Sequence, residues 1–503
     1  MRRRATERII PKLHISKLLS SIKKRTVRNV SYIGASQIIT LLLSLITVAV
    51  LTRMLTPEDF GIVSIGMIFM ALFANIQDFG VAPAVIQRDT RIEESISVGL
   101  ALRWIIAIIL MIFVIGVSPL VSSFYGKPAI ALVLIVMSLN LFVQPISFSS
   151  LVLLTRALNF YSLAIAGIVQ YMVITGVSIS LALFGFSYWS LVLGSLAGSV
   201  SYVVVLRNFE STSFRPRIDR GLVKELLGFG MHLLIVGLMA FIVFNVDQLV
   251  VGKVFGVAML GIYFVAVRFG RTMGEQISGT VNKVLFPTMA RMKDSIEQLK
   301  IGQIQSLRMI AIITVPLSMG LSALSSLFVE VVLGSDWTAV GLPIAILSFQ
   351  GLLNALIAPS ANVLVSIGKP KYMSAQATVQ ALLLVIAIYP VASFYGINGV
   401  CVLTTALSFS VMIYFVVVFS RVFKSKILDI VGPIMPSLFS GVVTFVVLAL
   451  CSLALPANLV SLVALTFLGG LVYVGFLHYL SKGKDLRDFS TLVRTSLLHR
   501  QES

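Results

Sequence analysis

Five polar side chains recur at steps of three and four residues in the apolar segment 257–282, which is long enough to cross a membrane. Residues at these steps share one face of a helix, so the segment presents a polar stripe within hydrocarbon. A charge costs at least about 2.5–3.5 kcal/mol in that environment, which makes such residues candidates for function. The stripe consists of Arg268, Arg271, Glu275, Ser278 and Asn282.

Two arginines, Arg268 and Arg271, give this stripe its predicted chemistry. Guanidinium groups hold phosphate oxygens in bidentate geometry, so the pair suits an anion such as a pyrophosphate. The alternative is structural, because Arg271 and Glu275 lie four residues apart on a helix and can neutralise each other. The sequence leaves both interpretations open.

Two acidic residues inside apolar segments, Asp78 and Asp247, are candidates for contact with substrate or with a coupling ion, H+ or Na+. Each carboxylate also has a structural alternative. Asp247 lies near the end of its segment, where it can pair with Lys253. Asp78 can face a cavity or cap a helix break near Gly80.

Amide and hydroxyl side chains in the apolar segments can bind sugar hydroxyls or hold helices together. The amides predicted to bind substrate are those of Gln37, Asn245 and Gln248. The first lies in a polar stripe formed by Ser36, Gln37, Thr40, Ser44 and Thr47, for which helix packing is the alternative. Three further amide pairs are spaced four residues apart: Asn140 with Gln144, Gln350 with Asn354, and Gln376 with Gln380.

The elements that must position these residues are transmembrane helices. The chain has 503 residues, of which 58% are hydrophobic and 12% charged, and its mean hydropathy is +1.01. Soluble domains carry about 25% charged residues, so a soluble fold is excluded. About fourteen spans are predicted from the apolar runs. They fall near 30–52, 60–85, 96–121, 129–154, 161–184, 187–206, 229–252, 257–282, 308–333, 338–366, 373–392, 396–420, 433–455 and 459–480.

Basic residues are distributed unequally between the two sides of these spans. With the N-terminus inside, the outside loops hold only Arg53, Lys127 and Lys253, whereas inside loops and tails hold about 32 of the 39 Lys and Arg. This asymmetry predicts cytoplasmic N- and C-termini and an even number of spans. Topology therefore explains most of the net charge of +19, without nucleic-acid binding. Arg103, about two turns inside span three, is expected to snorkel to the inner surface.

The predicted architecture is all-α, with two six-helix lobes around a central cavity and two further helices. The basic loop after span six is the boundary between the lobes, and spans one and seven both start inside, so the repeats run parallel. The N-terminal segment either lies on an anionic membrane surface or is a solvated tail. The units are a basic cytoplasmic segment at 1–29, an N-lobe at 30–206, an inter-lobe loop at 207–228, a C-lobe at 229–423, helices thirteen and fourteen at 424–480, and a cytoplasmic tail at 481–503.

A repeat with an offset of 200 residues supports this division. Segment 51–62 reads LTRMLTPEDFGI and segment 251–262 reads VGKVFGVAMLGI, which aligns Arg53 with Lys253 and Gly61 with Gly261. In both copies a basic connector joins two apolar runs. Because duplicated halves of a membrane protein often form a central site between them, the sequence predicts a two-lobed transporter.

Sequence motifs for catalysis and for cofactor or metal binding are absent. The chain has no G-x-x-x-x-G-K-[ST] phosphate loop, no H-E-x-x-H and no closely spaced D-x-D. Cys401 and Cys451 lie inside apolar runs, and the four histidines are scattered, so neither a disulfide framework nor a metal site is expected. We therefore expect a transporter without cofactor or metal, and not an enzyme.

Several motifs resemble one family of membrane proteins. They are LTRMLTPEDFG from Leu51, QDFGVAPAVIQ from Gln77, NVDQLVVGKVFG from Asn245, LGIYFVAVRFG from Leu260 and LFPTMAR from Leu285. Together they resemble Wzx-type polysaccharide flippases, in the branch of colanic-acid and teichuronic-acid exporters. The resemblance implies the fold of the multidrug/oligosaccharidyl-lipid/polysaccharide exporter superfamily, with two six-helix lobes around a central cavity.

The resemblance also implies a function. Such proteins move undecaprenyl-diphosphate-linked oligosaccharides from the inner to the outer leaflet of the bacterial cytoplasmic membrane, by alternating access. Arg268 and Arg271 match cationic cavity residues that meet the pyrophosphate, and the implied partners are the lipid-linked oligosaccharide, membrane lipids and polysaccharide polymerases. The carboxylates Asp78, Asp247 and Glu275 leave coupling to H+ or Na+ open. Two alternatives remain: an ion-coupled drug or cation exporter of the same superfamily, and a membrane glycan polymerase or ligase.

Overall fold

A computed structural model describes residues 12–279, 295–369, 371–483, 485 and 487. In this part of the chain the secondary structure is helical throughout, and 13 helices are long and apolar enough to cross a membrane. The chain is therefore a multi-pass membrane protein, as predicted. Asn282 and the LFPTMAR motif lie outside the described residues, as do residues 1–11 and most of the predicted C-terminal tail.

The first six spans form the first half of the bundle. Two of them are interrupted: span two breaks between α2 and α3, and span four between α5 and α6. The helices are α1 (Lys12–Leu51), α2 (Pro57–Asp78), α3 (Val81–Gln87), α4 (Ile92–Tyr125), α5 (Ala129–Ser138), α6 (Asn140–Arg156), α7 (Phe160–Leu183) and α8 (Trp189–Phe209).

Spans seven to twelve form the second half, and α17 and α18 follow it as spans thirteen and fourteen. Span eight consists of α10, a π-helix at Val267–Arg271 and α11 at 272–279. A second π-helix, Val329–Leu333, ends span nine. The helices are α9 (Arg220–Phe255), α10 (Val257–Ala266), α12 (Ile296–Ala323), α13 (Ser325–Phe328), α14 (Gly341–Ser366), α15 (Lys371–Val422), α16 (Ile427–Val431), α17 (Met435–Ala454) and α18 (Leu459–Leu480).

The longest helix, α15, contains two of the predicted spans. Its 52 residues would extend roughly 78 Å at 1.5 Å per residue, more than twice the hydrocarbon thickness of a bilayer. Gly396 interrupts it with a non-helical backbone at φ 69°, and Phe394 and Tyr395 beside it are strongly exposed. The chain therefore turns at Gly396, which divides α15 into spans eleven and twelve, so the described helices make fourteen crossings.

Span nine begins earlier than its hydropathy predicts. We expected it near 308, but α12 starts at Ile296, where the Ser295 side chain accepts a hydrogen bond from the Gln298 N–H at 3.4 Å. The first turns of α12 carry Glu297 and Lys300, which lower the average hydropathy there. A prediction from hydropathy therefore leaves out these turns, although the backbone is already helical. Hydropathy locates the part of a helix in lipid, whereas the cap sets where the helix begins.

The two halves meet in a shared hydrophobic core near the connection between spans one and two. Leu51 and Phe60 from the first half pack there with Tyr263 and Trp337 from the second, and all four are buried. We call this end of the bundle the Leu51 end, and the opposite end, at the break in span two, the Asp78 end. Spans thirteen and fourteen lie beside this assembly, since α17 packs against both α12 and α18.

The loop between the halves is fixed to the Asp78 end of the first half. Arg91 pairs with Asp219 at 2.9 Å, Arg88 pairs with Glu225 at 2.6 Å, and the Arg217 N–H donates to the Ser97 carbonyl at 3.2 Å. Hydrogen bonding from the Leu222 N–H, together with Arg91, lowers the pKa of Asp219 below its usual range. The Asp219 carboxylate is therefore ionised at neutral pH and caps the start of α9.

Candidate functional site

A buried ion pair joins spans seven and eight. Arg271 Nη1 donates to Asp247 Oδ2 at 2.9 Å, and the Tyr263 hydroxyl donates to the same oxygen at 2.8 Å. The Gln248 N–H donates to Asp247 Oδ1 at 2.9 Å, so both carboxylate oxygens are bonded. Asp247 is fully buried and Arg271 is 4% exposed. Charges this deep are stable only when they are paired and hydrogen-bonded, as these are.

The network extends from Arg271 to span ten. Arg271 Nη2 donates to the Phe244 carbonyl at 2.9 Å, and Arg271 Nε lies 3.9 Å from Glu275 Oε1. Asn354 on α14 donates through Nδ2 to that Glu275 oxygen at 2.8 Å. Two carboxylates thus share one guanidinium, which leaves negative charge at Glu275, whose side chain is 28% exposed. This arrangement can accept one proton or one small cation.

The π-helix separates the two arginines that the sequence places on one stripe. Its i→i+5 hydrogen bonds widen the turn between Arg268 and Arg271, so the α-helical three-residue step no longer holds there. Arg271 is buried in the network, whereas Arg268 is half-buried and forms no hydrogen bond or ion pair with any described residue. Of the two arginines predicted to hold an anion, only Arg268 has a guanidinium that is not engaged by another described residue.

Glycines allow the backbones of span eight and span ten to approach each other closely. A Cβ added at Gly274 would lie 2.4 Å from the Gly351 carbonyl oxygen, and one added at Gly351 would lie 2.8 Å from the Arg271 carbonyl oxygen. Any larger residue at either position would push the helices apart. The close approach brings Asn354 within hydrogen-bonding distance of Glu275.

A second ion pair lies at the Asp78 end. Span two breaks after Asp78, where Phe79 and Gly80 adopt left-handed φ angles of 42° and 66°. The buried Arg103 donates to the Asp78 carboxylate, and its guanidinium lies 4.8 Å from the centroid of the Phe148 ring. The expected snorkelling of Arg103 to the inner surface is wrong, because this side chain is enclosed between spans two, three and four.

Replacing Asp78 by alanine is expected to lower the midpoint of thermal unfolding in detergent more than Arg103→Ala does. The first change leaves the guanidinium of Arg103, whose side chain is 7% exposed, buried without its carboxylate, whereas the second leaves the carboxylate of Asp78, which is 36% exposed and can be solvated by water. Tryptophan fluorescence on purified variants provides the measurement. Equal midpoints for the two variants would contradict this account of the pair.

Lys253 does not pair with Asp247, which corrects one of the alternatives predicted for that carboxylate. Lys253 Nζ donates to the Phe124 carbonyl at 2.8 Å, on the other half of the bundle. Asp247 instead faces Arg271 and Tyr263. The carboxylate points into the bundle, so an interfacial role does not apply to it.

Among the described residues, the side-chain amides of the other predicted substrate-binding residues form no hydrogen bond to the charged side chains of this network. Asn245 donates to Phe241 O at 3.0 Å, within its own helix, and Gln248 Nε2 lies 3.5 Å from Phe244 O. Gln37 is half-buried on span one. Its stripe neighbours bond largely to backbone carbonyls of their own helix, and Thr47 also contacts Thr175 at 2.6 Å, which favours helix packing for Thr47.

Two members of the buried network were not predicted as site residues. Tyr263 is one aromatic among many in apolar runs, so its sequence gives no signal for the hydrogen bond to Asp247. Asn354 belongs to a predicted amide pair, but the other member, Gln350, faces α15. There its Nε2 donates to the Thr404 carbonyl and to the Ser408 hydroxyl. Only the approach of spans eight and ten distinguishes the two amides.

Comparison with known proteins places this architecture in a family. The chain is 24% identical to the lipopolysaccharide biosynthesis protein WzxC of Escherichia coli (strain K12), over 69% of this chain and 71% of that protein. It is 30% identical to the succinoglycan biosynthesis transport protein ExoT of Rhizobium meliloti (strain 1021), over 62% of this chain and 64% of that protein. The predicted resemblance to Wzx-type proteins is thereby confirmed.

A solved structure shares the fold. The lipid II flippase MurJ, in an inward closed conformation, superposes with a TM-score of 0.69 over 92% of this chain and 99% of its own, at 15% identity. At that identity the likeness concerns the fold alone. The family model described as "Polysaccharide biosynthesis protein" matches residues 50–341, more than half of the sequence. The chain belongs to this polysaccharide biosynthesis protein family.

Proposed function

We propose that this protein flips polyprenyl-diphosphate-linked oligosaccharides, with undecaprenyl as the lipid, from the inner to the outer leaflet of the bacterial cytoplasmic membrane. The observation that carries the proposal is Arg268, a half-buried guanidinium without a partner among the described residues, beside a charge network in span eight. It lies roughly 17 Å along the helix from Val257, near the middle of a bilayer. The names of WzxC and ExoT associate the family with polysaccharide biosynthesis and transport.

Arg268 supplies the charge that a diphosphate needs at this depth. An unpaired guanidinium in low dielectric is costly, and a phosphate oxygen recovers that cost through charge-assisted hydrogen bonds. Arg271 attracts the diphosphate electrostatically but does not contact it while its guanidinium is bonded to Asp247. The amides of Gln37, Asn245 and Gln248 are the proposed contacts for sugar hydroxyls.

The coupling ion is proposed to act at the second-half network. Asp247 and Glu275 share the single guanidinium of Arg271, so binding of H+ or Na+ at Glu275 neutralises the excess charge. Asn354 then offers a carbonyl oxygen in place of its NH2 by rotation of the amide. Asp78 is a weaker candidate for coupling, because Arg103 already balances its charge.

The lipid tail requires a lateral path, and the surface of span one provides one. Span one packs mainly against α7, and its other face exposes Ile38, Leu42 and Ile46. A polyprenyl chain can lie along this apolar face while the diphosphate and glycan enter the bundle. Alternating access of the two halves then carries only the head group across.

The proposed orientation places the Leu51 end outside and both termini in the cytoplasm. It rests on the basic residues, of which the outside loops hold only Arg53, Lys127 and Lys253. In this orientation the loop fixed by Arg91 and Asp219 faces the cytoplasm. Polysaccharide polymerases of the same membrane are proposed as partners. The protein acts as a transporter and not as an enzyme.

Deletion of the gene, followed by measurement of lipid-linked oligosaccharide in each leaflet and of surface polysaccharide, tests the proposal. We expect the lipid-linked unit to accumulate in the inner leaflet and surface polymer to be lost, with rescue by the wild-type gene. A normal leaflet distribution would refute flipping. Sensitivity to cationic dyes with normal polysaccharide would instead support a drug or cation exporter, and altered polymer length with normal translocation would support a polymerase or ligase.

A further inference from the structure

At the Leu51 end the two halves pack through a reciprocal glycine contact. A Cβ added at Gly61 would lie 1.8 Å from the Val257 carbonyl oxygen, and one added at Gly261 would lie 1.8 Å from the Pro57 carbonyl oxygen. Each contact becomes the other when 200 is added to or subtracted from its residue numbers. This is the pattern of an interface with a local two-fold relation, formed here by the starts of spans two and eight.

The basic residues of the two repeats also cross between the halves in a reciprocal way. Arg53 follows span one and donates to the end of span nine, through Nε to the Val332 carbonyl at 2.9 Å and through Nη2 to the Val331 carbonyl. Lys253, at the end of span seven, donates to the Phe124 carbonyl at the end of span three and lies 4.0 Å from that ring's centroid. Cations at helix C-termini are favoured by the free carbonyls and the helix dipole.

Two aromatic hydrogen bonds repeat the same pattern. The Tyr125 hydroxyl, at the end of span three, donates to the Leu249 carbonyl of span seven at 3.2 Å. The Trp337 indole N–H, just after span nine, donates to the Thr52 carbonyl after span one at 2.8 Å. Every one of these four polar contacts joins a side chain of one half to a backbone carbonyl of the other.

We propose that Arg53 and Lys253 form a two-fold latch that holds the Leu51 end closed and releases when the transporter opens there. The proposal rests on the proposed function for its direction of transport. Both cations are exposed, and their acceptors are helix-end carbonyls that water can satisfy once the halves separate. The contact is therefore reversible, unlike the buried Asp247–Arg271 pair within the second half.

The Asp78 end lacks an equivalent arrangement in the described residues. There the start of α9 packs closely on the first half, and a Cβ added at Gly230 would lie 1.9 Å from the Phe79 carbonyl oxygen. Span one, which corresponds to span seven (α9) in the repeat, instead packs mainly against α7 of its own half. Among the described residues the two-fold contact is found at the Leu51 end, so removing the latch is expected to open that end selectively.

The test is the reaction of Val257→Cys, a position 3% exposed in the glycine contact, with a membrane-impermeant maleimide applied to intact cells and to inside-out vesicles. Wild type without this cysteine supplies the blank for Cys401 and Cys451. Arg53→Ala and Lys253→Ala are each expected to raise the outside labelling rate about 3-fold, and the double variant roughly 10-fold, the product of the two. The product is expected because both contacts break in the same opening step.

Lys127→Ala is the matched control. Lys127 is a basic residue at the same end whose side chain is 42% exposed, but it pairs with Glu58 at 2.6 Å within the first half, so its loss should leave the labelling rate unchanged. An unchanged rate in the double variant, or an equal rise in Lys127→Ala, would overturn the latch. Labelling from the cytoplasmic side alone would place the Leu51 end inside and overturn the proposed outward opening.

The labelling assay does not depend on transport, so the latch and the flippase can fail separately. Increased labelling of the latch variants, together with a normal leaflet distribution in the deletion strain, would retain the latch and reject the proposed substrate. Unchanged labelling of the latch variants, together with inner-leaflet accumulation in the deletion strain, would retain the flippase and reject the latch.

Discussion

Replacing Asp247 by alanine is expected to destabilise the protein by about 3–5 kcal/mol, because it leaves the guanidinium of Arg271 buried without its carboxylate. Arg271 is 4% exposed and keeps the Phe244 carbonyl at 2.9 Å, Glu275 at 3.9 Å and the Phe244 ring, whose centroid lies 5.9 Å away. The Tyr263 hydroxyl loses its acceptor in the same variant. Thermal or denaturant unfolding of purified protein in detergent measures the change.

The double variant Asp247→Ala with Arg271→Met separates a missing contact from an unpaired charge. Removing both charges takes away the desolvation penalty, so the double variant is expected to recover most of the lost stability. Asp89→Ala provides a control, since Asp89 is exposed and has no ion pair among the described residues. A double variant as unstable as Asp247→Ala would show that the network stabilises through packing and not through charge balance.

The spans could be predicted from sequence because hydrocarbon selects long apolar runs, whatever the tertiary structure. The 200-residue repeat likewise anticipated the correspondence of Arg53 with Lys253 and of Gly61 with Gly261, which the structure brings together at one end. The start of α12 at Ile296 was missed, because it is set by a polar cap outside the apolar run.

The pairing of Arg271 with Glu275 was offered by the sequence as an alternative, and the structure places these groups 3.9 Å apart. The ion pairs of Asp247 and Asp78 could not be predicted, because their partners are chosen by tertiary packing. Asp247 has Lys253 within two turns in sequence, yet it pairs with Arg271, 24 residues away, and Arg103 pairs with Asp78, 25 residues away. The polar stripe on span eight was predicted by assuming the α-helical period of 3.6 residues. The π-helix at Val267–Arg271 interrupts that period between the two arginines. No local pattern in the sequence indicated the π-helix.

The different environments of the two arginines lead to opposite expectations for their loss. Arg268→Ala removes a half-buried cation that has no hydrogen bond or ion pair in the described part of the chain, so stability should not fall and should rise if anything, because the cost of the unpaired charge is removed. If Arg268 binds the diphosphate, its loss removes a charge-assisted hydrogen bond of about 1.5–3 kcal/mol, which corresponds to a roughly 10- to 100-fold loss of export. Arg271→Ala should instead lower stability, because Asp247 becomes an unpaired buried carboxylate.

The measurement is surface polysaccharide and inner-leaflet lipid-linked oligosaccharide in a deletion strain that carries each variant at matched protein level. Arg268→Lys keeps the charge but loses the bidentate geometry, so its export should fall between those of wild type and Arg268→Ala. Arg215→Ala, which removes an exposed arginine from the loop between the halves, should export normally. Normal export by Arg268→Ala would remove the main support for a diphosphate site at this arginine, because no other free cation on the described part of span eight could replace it.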